Sequence, residues 1–129
     1  MARRVEVVNM EAGYPSAEEA RTRLANELDV ARKKGVGLLK IIHGYGSTGK
    51  GGTLRKSLRT MLLRMGQEGK IGRVIFGEAW DLFDEPSRNL IERYPLIRGD
   101  RDLGQSNAGI TIVEVRGRQR NRSMREDDD

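Results

Sequence analysis

The sequence predicts one small α/β domain, a two-layer sandwich with a mixed, partly parallel sheet. The chain has 129 residues, enough for one modest core. Strand-like and amphipathic segments alternate in the order β-α-β-α-β, and a last strand follows a long excursion. Right-handed crossovers between such strands imply a sheet with a parallel core. We expect the domain over residues 1–115 and a charged, disordered tail over residues 116–129.

The first strand and the first helix follow from short local signals. Val5–Val8 is an apolar run typical of a strand. Ser16 with Glu19 three residues later forms a capping box, which predicts a helix start, and Gly35 predicts its end. The apolar residues of this helix recur on one face: Ala20, Leu24, Leu28 and Ala31.

A second strand and a second helix flank a glycine-rich loop. Gly37–Ile42 predicts a buried strand, the loop starts at His43, and the helix starts near Thr53. Its apolar stripe consists of Leu54, Leu58, Met61, Leu62 and Met65. We expect the basic residues of this helix to point away from the stripe, toward solvent or a ligand: Arg55, Lys56 and Arg59.

The rest of the chain predicts two strands with a long excursion between them. Arg73–Phe76 is the third strand and Ile110–Val115 the last. In the excursion, Gly77–Asn107, Pro86 predicts the first position of one short helix. We expect Trp80 and its aromatic neighbours to form a satellite core under this excursion.

Composition favours a nucleic-acid partner. The formal net charge is +5 and the pI about 9.9, which favours a polyanion over a neutral ligand. Cysteine is absent, which excludes disulfides and thiolate metal sites and fits a reducing cytosol, so we expect a cytoplasmic location. Apolar runs stop at a few residues, so we expect neither a membrane span nor a secretory signal.

The loop after the second strand has the composition of a phosphate-binding connection. Glycines let an anion approach backbone N–H groups, and a helix N-terminus adds partial positive charge. The candidate phosphate-binding residues are Gly44, Tyr45, Gly46, Gly49, Lys50, Gly51, Gly52, Arg55 and Arg59. Tyr45 is a candidate for stacking on a base. The alternative is that the glycines merely permit a tight connection and the basic residues form a solvated face.

The loop is close to a nucleotide-binding P-loop but lacks one required residue. Residues 44–51 read GYGSTGKG, and Gly51 stands where that motif needs a magnesium-binding hydroxyl. Glu78, after the third strand, is a weak candidate for the motif's acidic partner. We therefore expect no ATP or GTP hydrolysis.

Several segments together resemble the Smr (small MutS-related) domain family. They are His43-Gly44-Tyr45-Gly46, Thr53-Leu54-Arg55, Glu18-Glu19-Ala20 and the closing strand from Gly109 to Val115. The resemblance runs from about Val5 to Val115 and implies a small Smr-like α/β sandwich. It also implies nicking or cleavage of DNA or RNA, or binding of structured nucleic acid.

The sequence departs from the family on its first strand, where the family carries an L-D-x-H motif. Glu6 is the candidate for the acid, and Val8 stands in the place of the histidine. The candidate catalytic residues are therefore His43 and Glu6. His43 could carry a proton during phosphodiester cleavage, or its ring could fix the loop by bonding a backbone group. A nuclease and a non-catalytic nucleic-acid-binding module both stay open.

No cofactor is expected from the sequence, and a divalent metal is not indicated. Asp100 and Asp102 do not match the calcium-loop template, because the glycine is misplaced and the closing glutamate is absent. We expect them to be ordinary loop acids.

Overall fold

The computed structural model describes residues 4–44 and 50–117, with the backbone but not the side chains of residues 50 and 51. The strands and helices of the described residues are β1 (Arg4–Asn9), α1 (Ala17–Lys33), β2 (Val36–Ile42), α2 (Lys50–Gln67), β3 (Val74–Phe76), α3 (Glu85–Arg93) and β4 (Ile110–Glu114). Single 3₁₀ turns follow β3 and α3, at Gly77–Ala79 and Pro95–Gly99. The predicted tail from residue 118 onward lies outside the described residues.

The four strands form one mixed sheet in the order β1-β2-β4-β3. β1 pairs parallel to β2, whereas β4 pairs antiparallel to both β2 and β3. The predicted α/β fold with a partly parallel sheet is confirmed. Its parallel part is one strand pair, because β4 inserts between β2 and β3 and separates two strands that follow each other along the chain.

α1 forms as its local sequence predicts. Ser16 Oγ accepts from the Glu19 backbone N–H at 3.0 Å, and the Glu19 carboxylate accepts from the Ser16 N–H at 2.8 Å. After the helix, Gly35 takes the left-handed conformation, φ +77°, that a C-terminal glycine favours. The four predicted stripe residues are the buried residues of the helix: Ala20, Leu24, Leu28 and Ala31.

α2 packs beside α1 on one face of the sheet and shares its core. Leu54, Leu58 and Leu62 are buried there, and Met61 and Met65 pack against the same cluster. The helix begins at Lys50 rather than near Thr53, so the predicted start was three residues late. Gly51 and Gly52 therefore belong to the first turn. Glycine costs about 1 kcal/mol in a helix interior, and the first turn lies outside that interior.

The excursion covers the opposite face of the sheet. Trp80 is fully buried there with Leu38, Leu90 and Tyr94, so the predicted satellite core is confirmed for Trp80. Phe83 differs, because it is 94% exposed. α3 forms as predicted, but its first residue is Glu85, so Pro86 takes the second position instead of the first.

Asp100 and Asp102 anchor this excursion to β2, so their prediction as ordinary loop acids was wrong. Lys40 is 5% exposed, and its Nζ lies 2.6 Å from Asp100 Oδ1 and 2.5 Å from Asp102 Oδ2. Trp80 Nε1 donates to the other oxygen of Asp100 at 3.0 Å. Burial acts against the charge on Lys40, but the hydrogen bonds to both carboxylates outweigh it and raise the pKa of the ammonium group. Lys40 and Asp100 are 60 residues apart in the sequence, so no local pattern predicts their ion pair.

Among the described residues, no helix has the length and apolar character needed to cross a membrane.

Candidate functional site

The glycine-rich connection begins where β2 ends, and its first residues are hydrogen-bonded to Gly109, the residue before β4. The backbone N–H groups of His43 and Gly44 both donate to the Gly109 carbonyl, at 2.9 and 3.1 Å. Gly44 has φ +78°, a left-handed conformation that glycine adopts without strain. The start of the connection is thereby fixed, and α2 begins six residues after Gly44.

His43 is fully buried, and both of its ring nitrogens have partners. Nδ1 lies 2.8 Å from the Gly44 carbonyl oxygen, and Nε2 lies 2.9 Å from Thr111 Oγ1. A carbonyl only accepts, so Nδ1 carries the proton and donates to it. The neutral ring then accepts at Nε2, and the Thr111 hydroxyl donates to that nitrogen.

Arg59 completes this network from the third turn of α2. Its Nε–H donates to Thr111 Oγ1 at 3.0 Å, so one hydroxyl accepts from the arginine and donates to the histidine. Its Nη1 and Nη2 donate to the two carboxylate oxygens of Glu78, at 3.0 and 2.8 Å. The guanidinium carbon lies 4.1 Å from the centre of the Phe76 ring. The residue is 8% exposed, so of the two expected directions, toward solvent or toward a ligand, Arg59 does not take the first.

Burial and nearby charge keep His43 neutral. Burial lowers the pKa of His43 from 6.5 to about 4, and the positive charges of Arg59 and Arg55 add to the effect, against the hydrogen bond to Gly44. The hydrogen bonds from Arg59 hold the pKa of Glu78 below its usual value. At neutral pH the cluster therefore contains a neutral imidazole, a cationic Arg59 and an anionic Glu78.

The structure brings part of the predicted site together. His43, Gly44 and Arg59 belong to one hydrogen-bonded cluster, and the charge of Arg55 reaches both His43 and Glu78. The backbone of Lys50, Gly51 and Gly52 forms the first turn of α2. Tyr45, Gly46 and Gly49 lie outside the described residues.

Glu6 does not meet His43. It pairs in register with Leu39, four residues before His43, a separation of about 13 Å along the strands. Its carboxylate lies 3.6 Å from the charged groups of both Arg4 and Lys34, at the other end of the sheet.

Sequence reasoning missed Glu11 and Thr111. A Cβ built on Gly44 would lie 2.2 Å from Glu11 Oε2, so the Glu11 carboxylate is directly beside the start of the connection. Its position just after β1 is the signal that was available, because the carboxyl ends of parallel strands meet at one edge of a sheet. Thr111 offered no local signal, because its role depends on groups from β2 and α2.

α2, which begins at the glycine-rich connection, is a basic helix. Its 18 residues contain five basic residues and no acidic one: Lys50, Arg55, Lys56, Arg59 and Arg64. The helix N-terminus, with its partial positive charge, starts at the glycine-rich connection. Such a helix start attracts anions, phosphate above all.

Metal chemistry has no obvious protein ligands in the part of the chain that the structure describes. Residues 4–44 and 50–117 contain no group of three or more His, Asp or Glu side chains arranged to hold a metal ion. The acids near this end of the sheet are Glu11 and Glu78; the Glu78 carboxylate is paired with Arg59, and both ring nitrogens of His43 are already engaged.

Comparisons with known proteins agree with this arrangement. The sequence model of the Smr domain matches residues 13–74, a range that includes α1, β2, the connection and α2. In a search of solved structures, the chain is similar to the crystal structure of the Smr domain of Thermus thermophilus MutS2. The TM-score is 0.52 with 19% sequence identity, and the match covers 84% of this chain and 95% of that one. No curated protein matches the sequence. The chain therefore matches the Smr domain over residues 13–74 and has the fold of an Smr domain.

Proposed function

We propose that this protein is a nucleic-acid-binding module that holds phosphate groups at the glycine-rich connection and the start of α2. The Smr resemblance implies this class of ligand, and the net charge of +5 favours it independently. Candidate contacts are the backbone amides of the connection and the side chains of Lys50 and Arg55.

The observation that carries this proposal is the composition of α2, which begins at the connection and contains five basic residues and no acidic one. In α1, by contrast, Glu18 and Glu19 occupy the first turn and complement its dipole. The first turn of α2 has no such acid. An anion from outside the protein would complement the dipole of α2 in the way that Glu18 and Glu19 complement that of α1.

Binding is best tested by fluorescence anisotropy with labelled single- and double-stranded DNA and RNA. Because several phosphates would be contacted, affinity should fall about tenfold or more between low and moderate salt. Lys50→Ala and Arg55→Ala should each weaken binding by about 1 kcal/mol or somewhat more, since charge-assisted contacts are lost.

Lys70→Ala is the matched control. It removes the same charge from an exposed position beyond the far end of α2, where Lys70 lies 3.2 Å from Glu68. Its affinity should stay within about twofold of wild type. Equal losses in all three variants would mean that net charge, and not the start of α2, determines binding. No binding at low salt would overturn the proposal.

Strand cleavage is the second candidate function, and the position of the Glu11 carboxylate beside Gly44, next to His43 in the chain, favours it. Cleavage through His43 requires Nε2 to leave Thr111, because that lone pair accepts a hydrogen bond in the present arrangement. The low pKa of His43 also makes it a weak base at neutral pH. These two properties favour binding without chemistry.

Incubation of labelled DNA and RNA with the protein, with and without magnesium, distinguishes the two functions. We expect binding without cutting. Cutting that His43→Ala or Glu11→Gln abolishes, with affinity kept within a few-fold, would instead establish the nuclease.

A further inference from the structure

We propose that Arg59 and Glu78 form a second phosphate subsite beside the connection, in which the Glu78 carboxylate occupies the anion position until a nucleic-acid phosphate displaces it. This inference rests on the proposed function and adds to it a named residue that limits affinity.

Partners other than Glu78 also hold Arg59. Its Nε donates to Thr111 Oγ1, and Nη2 donates to the carbonyls of Ile110 at 2.9 Å and Ala108 at 3.3 Å. The Phe76 ring supports the guanidinium from one face. These partners are uncharged, so the guanidinium keeps a buried, prepared position and its full positive charge when the carboxylate leaves.

Glu78 covers the solvent side of that guanidinium. Its side chain is 48% exposed, whereas the Arg59 side chain is 10% exposed. The Nη1 group donates only to Glu78 among the described residues. Removal of the carboxylate would therefore leave Nη1 and part of Nη2 facing outward, in the forked arrangement that binds two oxygens of a carboxylate or a phosphate equally well.

The location joins this subsite to the connection. Thr111 Oγ1 touches both Arg59 and His43, and the His43 ring holds the Gly44 carbonyl. Arg55 lies one helical turn before Arg59, nearer the helix N-terminus. Once Glu78 has moved, two arginines on one side of α2 face the path that a phosphate backbone would follow from the connection.

Glu78→Gln and Glu78→Ala test the inference in the anisotropy assay. Both variants should bind single-stranded oligonucleotides about threefold to tenfold more tightly than wild type, because no carboxylate competes with the phosphate. The salt dependence should also steepen by about 0.7 in log–log slope, the effect of one further phosphate contact to a single strand.

Glu92→Gln is the control for net charge. Glu92 is exposed on α3, which packs against the opposite face of the sheet, and the change in charge is identical. Its affinity and salt slope should remain close to wild type. Thermal melting of each variant checks that the fold is kept, which we expect because Arg59 retains its hydrogen bonds to Thr111, Ala108 and Ile110.

A second measurement does not need nucleic acid. Inorganic phosphate should shift the Arg59 Nε–H resonance of Glu78→Ala in ¹H–¹⁵N spectra, with the resonance assigned through Arg59→Lys, and should shift it less in wild type. Nucleic-acid binding by wild type that Glu78→Gln leaves unchanged or weakens would overturn the inference and leave the proposed function intact. Absence of nucleic-acid binding by wild type, with phosphate still shifting Arg59 in Glu78→Ala, would overturn the function and support the anion subsite.

Discussion

Replacement of Lys40 by methionine should strongly destabilise the fold, because it leaves two buried carboxylates without their positive partner. Lys40 lies between Asp100 and Asp102, at 2.6 and 2.5 Å. The carboxylate side chains are only 9% and 17% exposed, so water cannot replace the ammonium group. Methionine conserves much of the volume of lysine but supplies neither the charge nor the donors.

The expected loss is about 3–5 kcal/mol, the range for the removal of one partner from a buried ion pair. For a domain of this size, that corresponds to a fall in melting temperature of about 10–20 °C. A second substitution should recover part of the lost stability. The double variant Lys40→Met with Asp102→Asn removes one of the two unpaired carboxylate charges.

Urea unfolding followed by tryptophan fluorescence provides the measurement. Trp80 is the single tryptophan of the chain, and its indole N–H donates to Asp100, so it reports on this cluster directly. Lys33→Met is the matched control, since Lys33 pairs with Asp29 at 3.1 Å but both side chains are more than half exposed. That variant should stay within about 0.5 kcal/mol of wild type.

The destabilisation should shrink in acid. The hydrogen bond from Lys40 holds the pKa of Asp102 below its usual 3.8, so its contribution to stability is present above that pH and is lost as pH falls through the lower, folded-state pKa. In Lys40→Met, burial remains without the ammonium group and raises the pKa of Asp102, so the variant gains stability when that carboxylate takes up a proton. The difference in unfolding free energy between Lys40→Met and wild type should therefore narrow as pH falls toward and below 3.8. A Lys40→Met variant as stable as Lys33→Met, or a gap that widens in acid, would refute the argument.

Three further predictions concern single residues. His43, the single histidine, should show no titration by NMR between about pH 8 and pH 5.5 and a midpoint near 4. Because its pKa is lowered in the folded state, up to about 3 kcal/mol of the free energy of unfolding should be lost as pH falls from 6.5 toward 4. A titration midpoint above 6 would contradict the burial of His43. Gly77→Ala should destabilise the fold by several kcal/mol in denaturant titrations, because its Cβ would lie 1.8 Å from the Asn107 carbonyl oxygen, while Gly99→Ala, with nothing within 4 Å, should be nearly neutral. Ser16→Ala should lose about 1 kcal/mol with the capping box, and an unchanged unfolding midpoint would show that α1 does not need its cap.

The sequence was sufficient where structure depends on neighbouring residues. The capping box of α1 and its apolar face involve residues at most a few turns apart, so Ser16, Glu19 and the buried stripe could be predicted. The strands followed from apolar runs in the same way. The start of α2 was misplaced because glycine pairs suggest a loop, whereas first-turn positions tolerate them.

The candidate site was harder because its partners are distant along the chain. The partners of Arg59 are distant in the sequence: Glu78 is separated from it by 19 residues and Thr111 by 52. No local sequence pattern therefore predicts the burial of Arg59. Lys40 finds Asp100 60 residues away. Even the correct strand set did not reveal the strand order, because the insertion of β4 between its neighbours is a property of the assembled sheet.

That strand order also fixes when the protein can fold as it is synthesised. β3 pairs only with β4 among the described strands, and β4 is the last of them to leave the ribosome. A nascent chain that ends before Ile110 contains the residues of β1, β2, β3 and all three helices, but it lacks the strand that bridges β2 to β3. The apolar side chains of the excursion, such as Trp80, therefore stay exposed until β4 has been synthesised and has joined the sheet. Chaperone contacts with the nascent chain should concentrate in that interval and end once β4 has inserted.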